Sequence, residues 1–376
     1  MLLKKLIFIL AFICLFSFYV YSAEEPSLSA ASAVLINADT YEVIYEKDAY
    51  KQRSMASTTK IMTAILAIES GKMSQIVAAE DIVAEGTAIG LKDGYKLSLE
   101  DLVWGMLLES GNDAAELTAS FLSGSESAFA ELMNAKAEEL SMLSTNFVTA
   151  SGLDSAEHYS TAYDMSLLGA YAVQNPIFRD ICSTRHKTIS LIEPEISLTF
   201  TNHNKLLSSC EGVFGIKTGF TKKSGRCLVS ACERNGTTLV AVTLNAVDDW
   251  NDHIRLYEYG FETVKTEKIF LDLPENIKVF GGETDTVGIK LQTDWPTISY
   301  SGEKGSVTQK TFLPAFVYAP VKEGEVIGKT EIYRDGTRIS SVNIIASGKV
   351  NCVEASENTT LFEKIINKIK DLFSMN

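Results

Sequence analysis

The sequence predicts a mixed α/β chain of the α+β kind: an antiparallel sheet with a helical cluster, then a small all-β C-terminal domain and a terminal amphipathic helix. Three observations carry this. Strand patterns stand near both ends of the first 264 residues with a helical block between them. From about Lys265 the texture changes to short β-type runs punctuated by Gly and Pro. The last stretch repeats apolar residues at 3-4 spacing.

Residues 1–23 stand apart from this plan. Lys4 and Lys5 precede an unbroken apolar run from Leu6 to Phe16, and Val20-Tyr21-Ser22-Ala23 follows with small residues. These are the basic, apolar and cleavage regions of a secretory signal, with cleavage expected after Ser22 or Ala23. An uncleaved anchor is the alternative, but the run is short for a span.

Ala33-Val34-Leu35-Ile36 and Glu42-Val43-Ile44-Tyr45-Glu46 flank the turn residues Asn37-Ala38-Asp39-Thr40, predicting a hairpin. Helical patterns dominate from about Ser57 to Ala172, among them Asp101–Leu108 and Ala128–Leu140. Cys227–Ala231 and Leu239–Leu244 then bracket Asn235-Gly236, a strong hairpin signal. The first hairpin and the last are expected to meet in one antiparallel sheet. Beyond Lys265, Asp335-Gly336 marks a further hairpin in a β domain ending near Val350. In the tail, Leu361, Phe362, Ile365, Ile366, Ile369, Leu372 and Phe373 share one helix face, with Lys364, Lys368 and Lys370 on the other. A membrane-interface helix fits that pattern, as does a helix docked on the β domain. The expected domains are therefore 1–23 signal, 24–264 main domain, 265–352 β domain, and 353–376 linker and tail helix.

The formal charge of −14 becomes −16 when residues 1–23, with two lysines and no acids, are removed. Such acidity excludes nucleic acid as a partner, since phosphate backbones demand clustered Lys and Arg. Outside the signal, Cys182, Cys210, Cys227, Cys232 and Cys352 form an odd, irregular set that reads as free thiols, not a disulfide framework or a metal site. Cys227 and Cys232 are five apart on an expected strand and should face opposite sides.

Three short motifs carry chemistry. Ser57-Thr58-Thr59-Lys60 opens an apolar helix, Ser110-Gly111-Asn112 breaks two helical runs, and Lys217-Thr218-Gly219 follows the strand-like Val213–Ile216. One helical turn separates Ser57 from Lys60, so their side chains share a face. A hydroxyl attacks a carbonyl only when a base takes its proton, and a desolvated lysine can be that base. Ser57 is thus the expected nucleophile, Lys60 its base, and Ser110 the relay to the leaving amine. Asn112 is expected to bind the substrate amide, and Lys217 and Thr218 its carboxylate. Gly219 would let a substrate strand approach the edge. The N–H groups of Ser57 and Phe220 are the expected oxyanion hole, at about 3 kcal/mol for one donor. Ser301-Gly302-Glu303-Lys304 repeats the first pattern, but in a Gly-rich turn region where no helix aligns the pair.

The ordered set resembles the penicillin-recognising serine enzymes. The surrounding text resembles their serine-type D-alanyl-D-alanine carboxypeptidases, the low-molecular-mass penicillin-binding proteins. Met133–Ala137, Ser151-Gly152-Leu153-Asp154, His158–Ala162 and Gly215–Thr221 carry the likeness, strongest over about residues 28–264. Ala319–Gly324 and Ile327-Gly328 resemble the family's β-rich C-terminal domain, and the tail resembles its membrane anchor. The resemblance implies a β-lactamase/transpeptidase-like fold and removal of the terminal D-alanine from peptidoglycan stem pentapeptides through an acyl-enzyme on Ser57. It also implies inhibition by β-lactams, no metal or organic cofactor, and action at the outer face of the cytoplasmic membrane.

Phe220 stands where some relatives carry histidine, so only its backbone N–H is carried over. Some relatives also place an arginine ahead of the helix that ends in Tyr259-Gly260-Phe261. Here Asp248–His253 holds none, and Arg226 on the adjacent strand is either a substitute or a structurally paired residue. His253 reads as structural. A serine β-lactamase would need a deacylating glutamate in E-x-x-L-N, and Ala241 stands there before Leu244-Asn245. A DD-endopeptidase would use the same residues. A non-catalytic wall-binding protein could discard the nucleophile, which this chain keeps.

Overall fold

The computed structural model describes residues 24–83, 85–302 and 304–353. The expected export signal and the tail helix lie outside the described residues. The chain divides into two compact units, one of Met1–Glu267 with Ser299–Glu303, the other of Lys268–Ile298 with Lys304–Asn376.

The first unit is built on a five-stranded sheet. Its order is Val43–Lys47, Ser32–Asn37, Thr237–Ala246, Gly225–Arg234, Val213–Thr221. Ser32–Asn37 lies antiparallel to Thr237–Ala246, with Ser32 opposite Leu244 and Asn37 opposite Leu239, so the two expected hairpins do meet. Every residue of Ser32–Asn37 is buried, which is why that strand reads as a nearly continuous apolar run. Asn235 and Gly236 both take positive φ, 52° and 77°, as a two-residue hairpin turn of the primed type requires.

Two cores flank this sheet. On one face, Val34, Ile36, Cys227, Val229, Val240 and Val242 pack with the helices, including Lys60–Glu69, Leu99–Leu108 and Ala162–Gln174. On the other, Leu35, Leu228, Cys232, Leu239 and Ala241 pack with Leu256 and Tyr257 of the Asp249–Thr263 helix. Cys227 and Cys232 therefore do point to opposite faces, and the described cysteines are free. The Lys60–Glu69 helix is apolar nearly all round because helices enclose it, not because it lies at a surface.

The helical block is less uniform than its periodicity suggests. Ile76–Ala78 and Lys96–Ser98 pair as a short ladder within it, and His186–Ser190 pairs with Ser197–Thr201 beyond it. Three-residue strands show too little alternation to register as a pattern. The second unit holds a six-stranded sheet, whose Val326–Arg334 and Thr337–Ala346 strands turn at Asp335-Gly336. Its core is small, centred on Ile277, Val279, Val287 and Ala346.

Gly152 locks the segment ahead of the first helix. Its φ is +85°, and a Cβ there would lie 2.0 Å from the Ala56 carbonyl oxygen. Gly152→Ala is therefore expected to lower stability by about 2–3 kcal/mol. A denaturant midpoint equal to that of the wild type would contradict this packing.

Candidate active site

Ser57 sits in a 3-10 turn, Ala56–Thr59, that runs directly into the Lys60–Glu69 helix. The turn is fixed from three sides. Thr58 Oγ1 donates to the Met55 carbonyl at 2.6 Å and Thr59 Oγ1 to the Ala56 carbonyl at 2.8 Å. His158 Nδ1 accepts from the N–H groups of Val148 and Thr149, at 3.0 and 3.3 Å. The proton of the neutral ring therefore sits on Nε2, which donates to Thr59 Oγ1 at 2.8 Å. Burial pushes the His158 pKa down to about 4, so the ring stays neutral.

Lys60 is fully buried. Its Nζ lies 3.1 Å from Ser57 Oγ, 2.6 Å from Asn112 Oδ1 and 2.6 Å from the Ser151 carbonyl oxygen. As an ammonium it donates to all three. As an amine it keeps two N–H bonds, which Asn112 and Ser151 accept, and its lone pair is left for the Ser57 hydroxyl proton. Burial and then the Lys217 charge lower the Lys60 pKa well below its ordinary value, while Glu116 and Asp113 oppose the shift. The neutral form is the one a general base needs.

Ser110 bridges the Leu99–Leu108 and Asn112–Ser123 helices with a left-handed φ of 63°. Asp113, one residue past the motif, accepts from the N–H groups of Ile89, Gly90 and Leu91 at 2.9, 2.9 and 3.0 Å. It thereby pins a loop beside the site. The Asn112 amide is more committed than the sequence suggested. Its Oδ1 holds Lys60 and its Nδ2 donates to the Glu85 carbonyl at 2.5 Å. One Nδ2 hydrogen remains for a substrate.

Lys217, 2% exposed, lies in the Val213–Thr221 strand and donates to the Thr218 carbonyl at 2.9 Å. Burial drives its pKa down to about 7, against the pull of Glu109. Gly219 also lies tight against the turn that holds Ser57. A Cβ there would meet Ser57 N at 3.0 Å, Met55 O at 3.1 Å and Thr58 N at 3.1 Å. The Ala56–Thr59 turn packs directly on the strand at this point. Ser57, Ser110, Thr218, Gly219 and Phe220 line one cleft of about 310 Å³, together with Thr87, His203, Lys205, Arg226, Asp249 and Trp250.

The other matches fall away. Ser301 ends a strand and its hydroxyl donates to Glu42 at 2.5 Å. His253 is wholly buried between Ser230 Oγ, 2.6 Å, and Thr243 Oγ1, 2.9 Å, and burial pushes it down to about 3. No local spacing or residue type in the sequence points to His158, Asp113 or the Ser151 carbonyl, although His158 and Ser151 lie in stretches that carry the family resemblance.

Residues 19–248 match the family model for D-alanyl-D-alanine carboxypeptidase. The chain belongs to that family. Residues 261–351 match the C-terminal domain of penicillin-binding protein 5. The chain is 29% identical to D-alanyl-D-alanine carboxypeptidase DacF of Bacillus subtilis over 336 residues, 86% of each. Among solved structures, penicillin binding protein 5 from Haemophilus influenzae superimposes with a TM-score of 0.62 at 26% identity, covering 87% of this chain and 99% of that one. The Streptomyces K15 DD-transpeptidase gives 0.61 at 28%, covering 64% and 99%. The family makes this chain a serine hydrolase of D-alanyl-D-alanine ends.

Lys217 supplies a test of the electrostatics. Its folded pKa lies below the ordinary 10.5, so the unfolded chain binds the extra proton between about 7 and 10.5. The destabilisation is complete below about 7 and is relieved as pH rises through that window. Relative to Lys217→Met, the wild type should gain melting temperature between pH 7 and 9. Parallel melting curves across that range would refute a buried, depressed Lys217.

Proposed function

We propose that Ser57 is the acylated nucleophile of a D-alanyl-D-alanine carboxypeptidase and that Lys60 is its base. The observation that carries this reading is the 3.1 Å approach of a desolvated Lys60 Nζ to Ser57 Oγ, with its two other contacts taken by acceptors. Ser57 Oγ attacks the carbonyl of the penultimate D-alanine as its proton passes to Lys60. The N–H groups of Ser57 and Phe220 receive the oxyanion. Ser110 relays the proton to the leaving amine, and terminal D-alanine departs. Water then hydrolyses the acyl-enzyme. Asn112 Nδ2 holds the substrate amide with its second hydrogen. Thr218 offers its hydroxyl to the carboxylate, and the arriving anion favours the charged form of Lys217.

The substrate in this reading is the peptidoglycan stem pentapeptide, and β-lactams acylate the same serine. Residues 1–23 act as an export signal, and the amphipathic stretch from Leu361 to Phe373 holds the enzyme at the outer face of the cytoplasmic membrane. No described helix is long and apolar enough to cross a membrane.

Incubation with benzylpenicillin should add one penicilloyl mass to the wild type and none to Ser57→Ala. Lys60→Gln should acylate roughly 10²–10⁴-fold more slowly. Terminal D-alanine should appear when the wild type meets a pentapeptide ending in D-alanyl-D-alanine. An equal adduct on Ser57→Ala, or a wild type that releases no D-alanine, would overturn the assignment.

A further inference from the structure

Among the described residues, Cys210 and Cys232 are the two cysteines whose thiols meet. Cys232 lies in the Gly225–Arg234 strand, opposite Val213 across the ladder, and is fully buried. Cys210 stands three residues ahead of Val213, half-buried, and packs on the same apolar core. The two side chains hydrogen-bond to each other. We propose that this pair is a redox site, whose thiols oxidise to a disulfide that staples the hairpin carrying Lys217, Thr218 and Gly219.

The backbone brings the sulfurs together. The Val213 N–H donates to the Cys210 carbonyl at 3.3 Å, closing a tight turn, and the Glu233 N–H donates to the Gly212 carbonyl at 2.9 Å. Gly212 makes the turn possible. Its φ is +85°, and a Cβ there would lie 2.5 Å from the Glu233 carbonyl oxygen and 3.1 Å from Cys232 Sγ. The turn thus folds Cys210 back over the strand where Cys232 lies, and a disulfide needs side chains that face each other so closely. Cys232 Sγ also lies 3.4 Å from the Glu211 carbonyl oxygen within the turn.

Arg234 makes the pair unequal. Its Nη2 lies 3.7 Å from Cys210 Sγ, and Nε and Nη2 donate to the Glu211 carbonyl at 3.2 and 3.1 Å. The guanidinium carbon sits 4.8 Å from the centre of the Phe261 ring. The hydrogen bond from Cys232, and then the Arg234 charge, lower the Cys210 pKa against burial, while the same hydrogen bond and burial raise Cys232. Cys210 is therefore the accessible thiolate and Cys232 the buried resolving thiol. Cys182 and Cys227 differ. Burial pushes them up to about 12 and about 11, and both face backbone carbonyls.

In the reaction, the Cys210 thiolate attacks one sulfur of a small external disulfide and displaces a thiolate, leaving a mixed disulfide. Cys232 then gives up its proton and attacks the Cys210 sulfur, displacing the second thiolate. Two protein thiols are oxidised and one external disulfide is reduced to two thiols. The new bond closes the chain from 210 to 232 at the end of the hairpin away from Gly219, which pairs with Cys227. It stabilises by restricting the unfolded chain and leaves the cleft as it is. The export proposed above would place the pair where disulfides persist.

The test treats the full-length protein with oxidised glutathione, alkylates the remaining thiols in denaturant, and digests with trypsin without reduction. Peptides Leu206–Lys217 and Cys227–Arg234 should appear joined, with fragmentation placing the bond on Cys232 and the alkyl group on Cys227. Oxidation should raise the melting temperature by roughly 5–10 °C, and dithiothreitol should reverse the rise. Cys232→Ser should stop at the mixed disulfide, with one glutathione on Cys210 and no gain in melting temperature. Cys210→Ser should leave Cys232 unmodified. A bond from Cys210 to any other cysteine, or full alkylation of Cys210 and Cys232 after oxidation, would end the proposal. A Cys210–Cys232 bond that leaves the melting temperature unchanged would refute the staple.

Discussion

An amine held in the protein interior beside a hydroxyl is unstable company for a fold, because the interior disfavours its charged form and leaves no water to complete its hydrogen bonds. Lys60 meets that constraint with three oxygens from three segments: the Ala56–Thr59 turn, the start of the Asn112–Ser123 helix, and the loop at Ser151. None of these can move far without orphaning a buried nitrogen. Much of the first unit is arranged to keep them in place. Gly152 packs its backbone on Ala56, His158 braces Thr59, and Asp113 ties down three successive N–H groups of the neighbouring loop.

The Val213–Thr221 strand completes the arrangement from the other side. It is an outer strand of its sheet, and among the described residues no strand pairs with its other edge. Open edges invite unwanted pairing, and proteins usually blunt them. Here the Ala56–Thr59 turn comes up against the strand at Gly219, with Phe220 exposed beyond it. The same geometry brings a second buried lysine, Lys217, close enough to Lys60 for its charge to disfavour a proton there. Both lysines weaken the fold near neutral pH, as functional sites often do. Two apolar cores around the sheet offset this.

Much of this was legible in the chain. Ser57 and Lys60 showed themselves by helical spacing at the head of an apolar run, and Asn235-Gly236 and Asp335-Gly336 by the positive φ their turns require. The motif order also separated Ser57–Lys60 from Ser301–Lys304, whose serine is taken up by Glu42. What stayed hidden depends on contacts between distant segments. The double engagement of Asn112, the bracing of Thr59 by His158 and the packing of Gly219 on the Ala56–Thr59 turn all join residues that no local pattern links. The short ladder at Ile76–Ala78 was hidden for another reason, since three residues carry almost no periodicity.

The place of Ser32–Asn37 in the sheet carries a consequence for the order in which the molecule can come into being. Its inner neighbour, Thr237–Ala246, is made only when the domain is nearly finished, and residues just ahead of the strand reach even further. Ser29 donates to Asp252 across 223 positions of chain. Closing so long a loop is entropically unfavourable and slow relative to local folding. A nascent chain that has already made Ser57, Lys60 and Ser110 therefore still lacks the central strands and Lys217. Until synthesis has passed the last hairpin, an incomplete chain therefore carries Ser57 and Ser110 without the strand that completes their cleft.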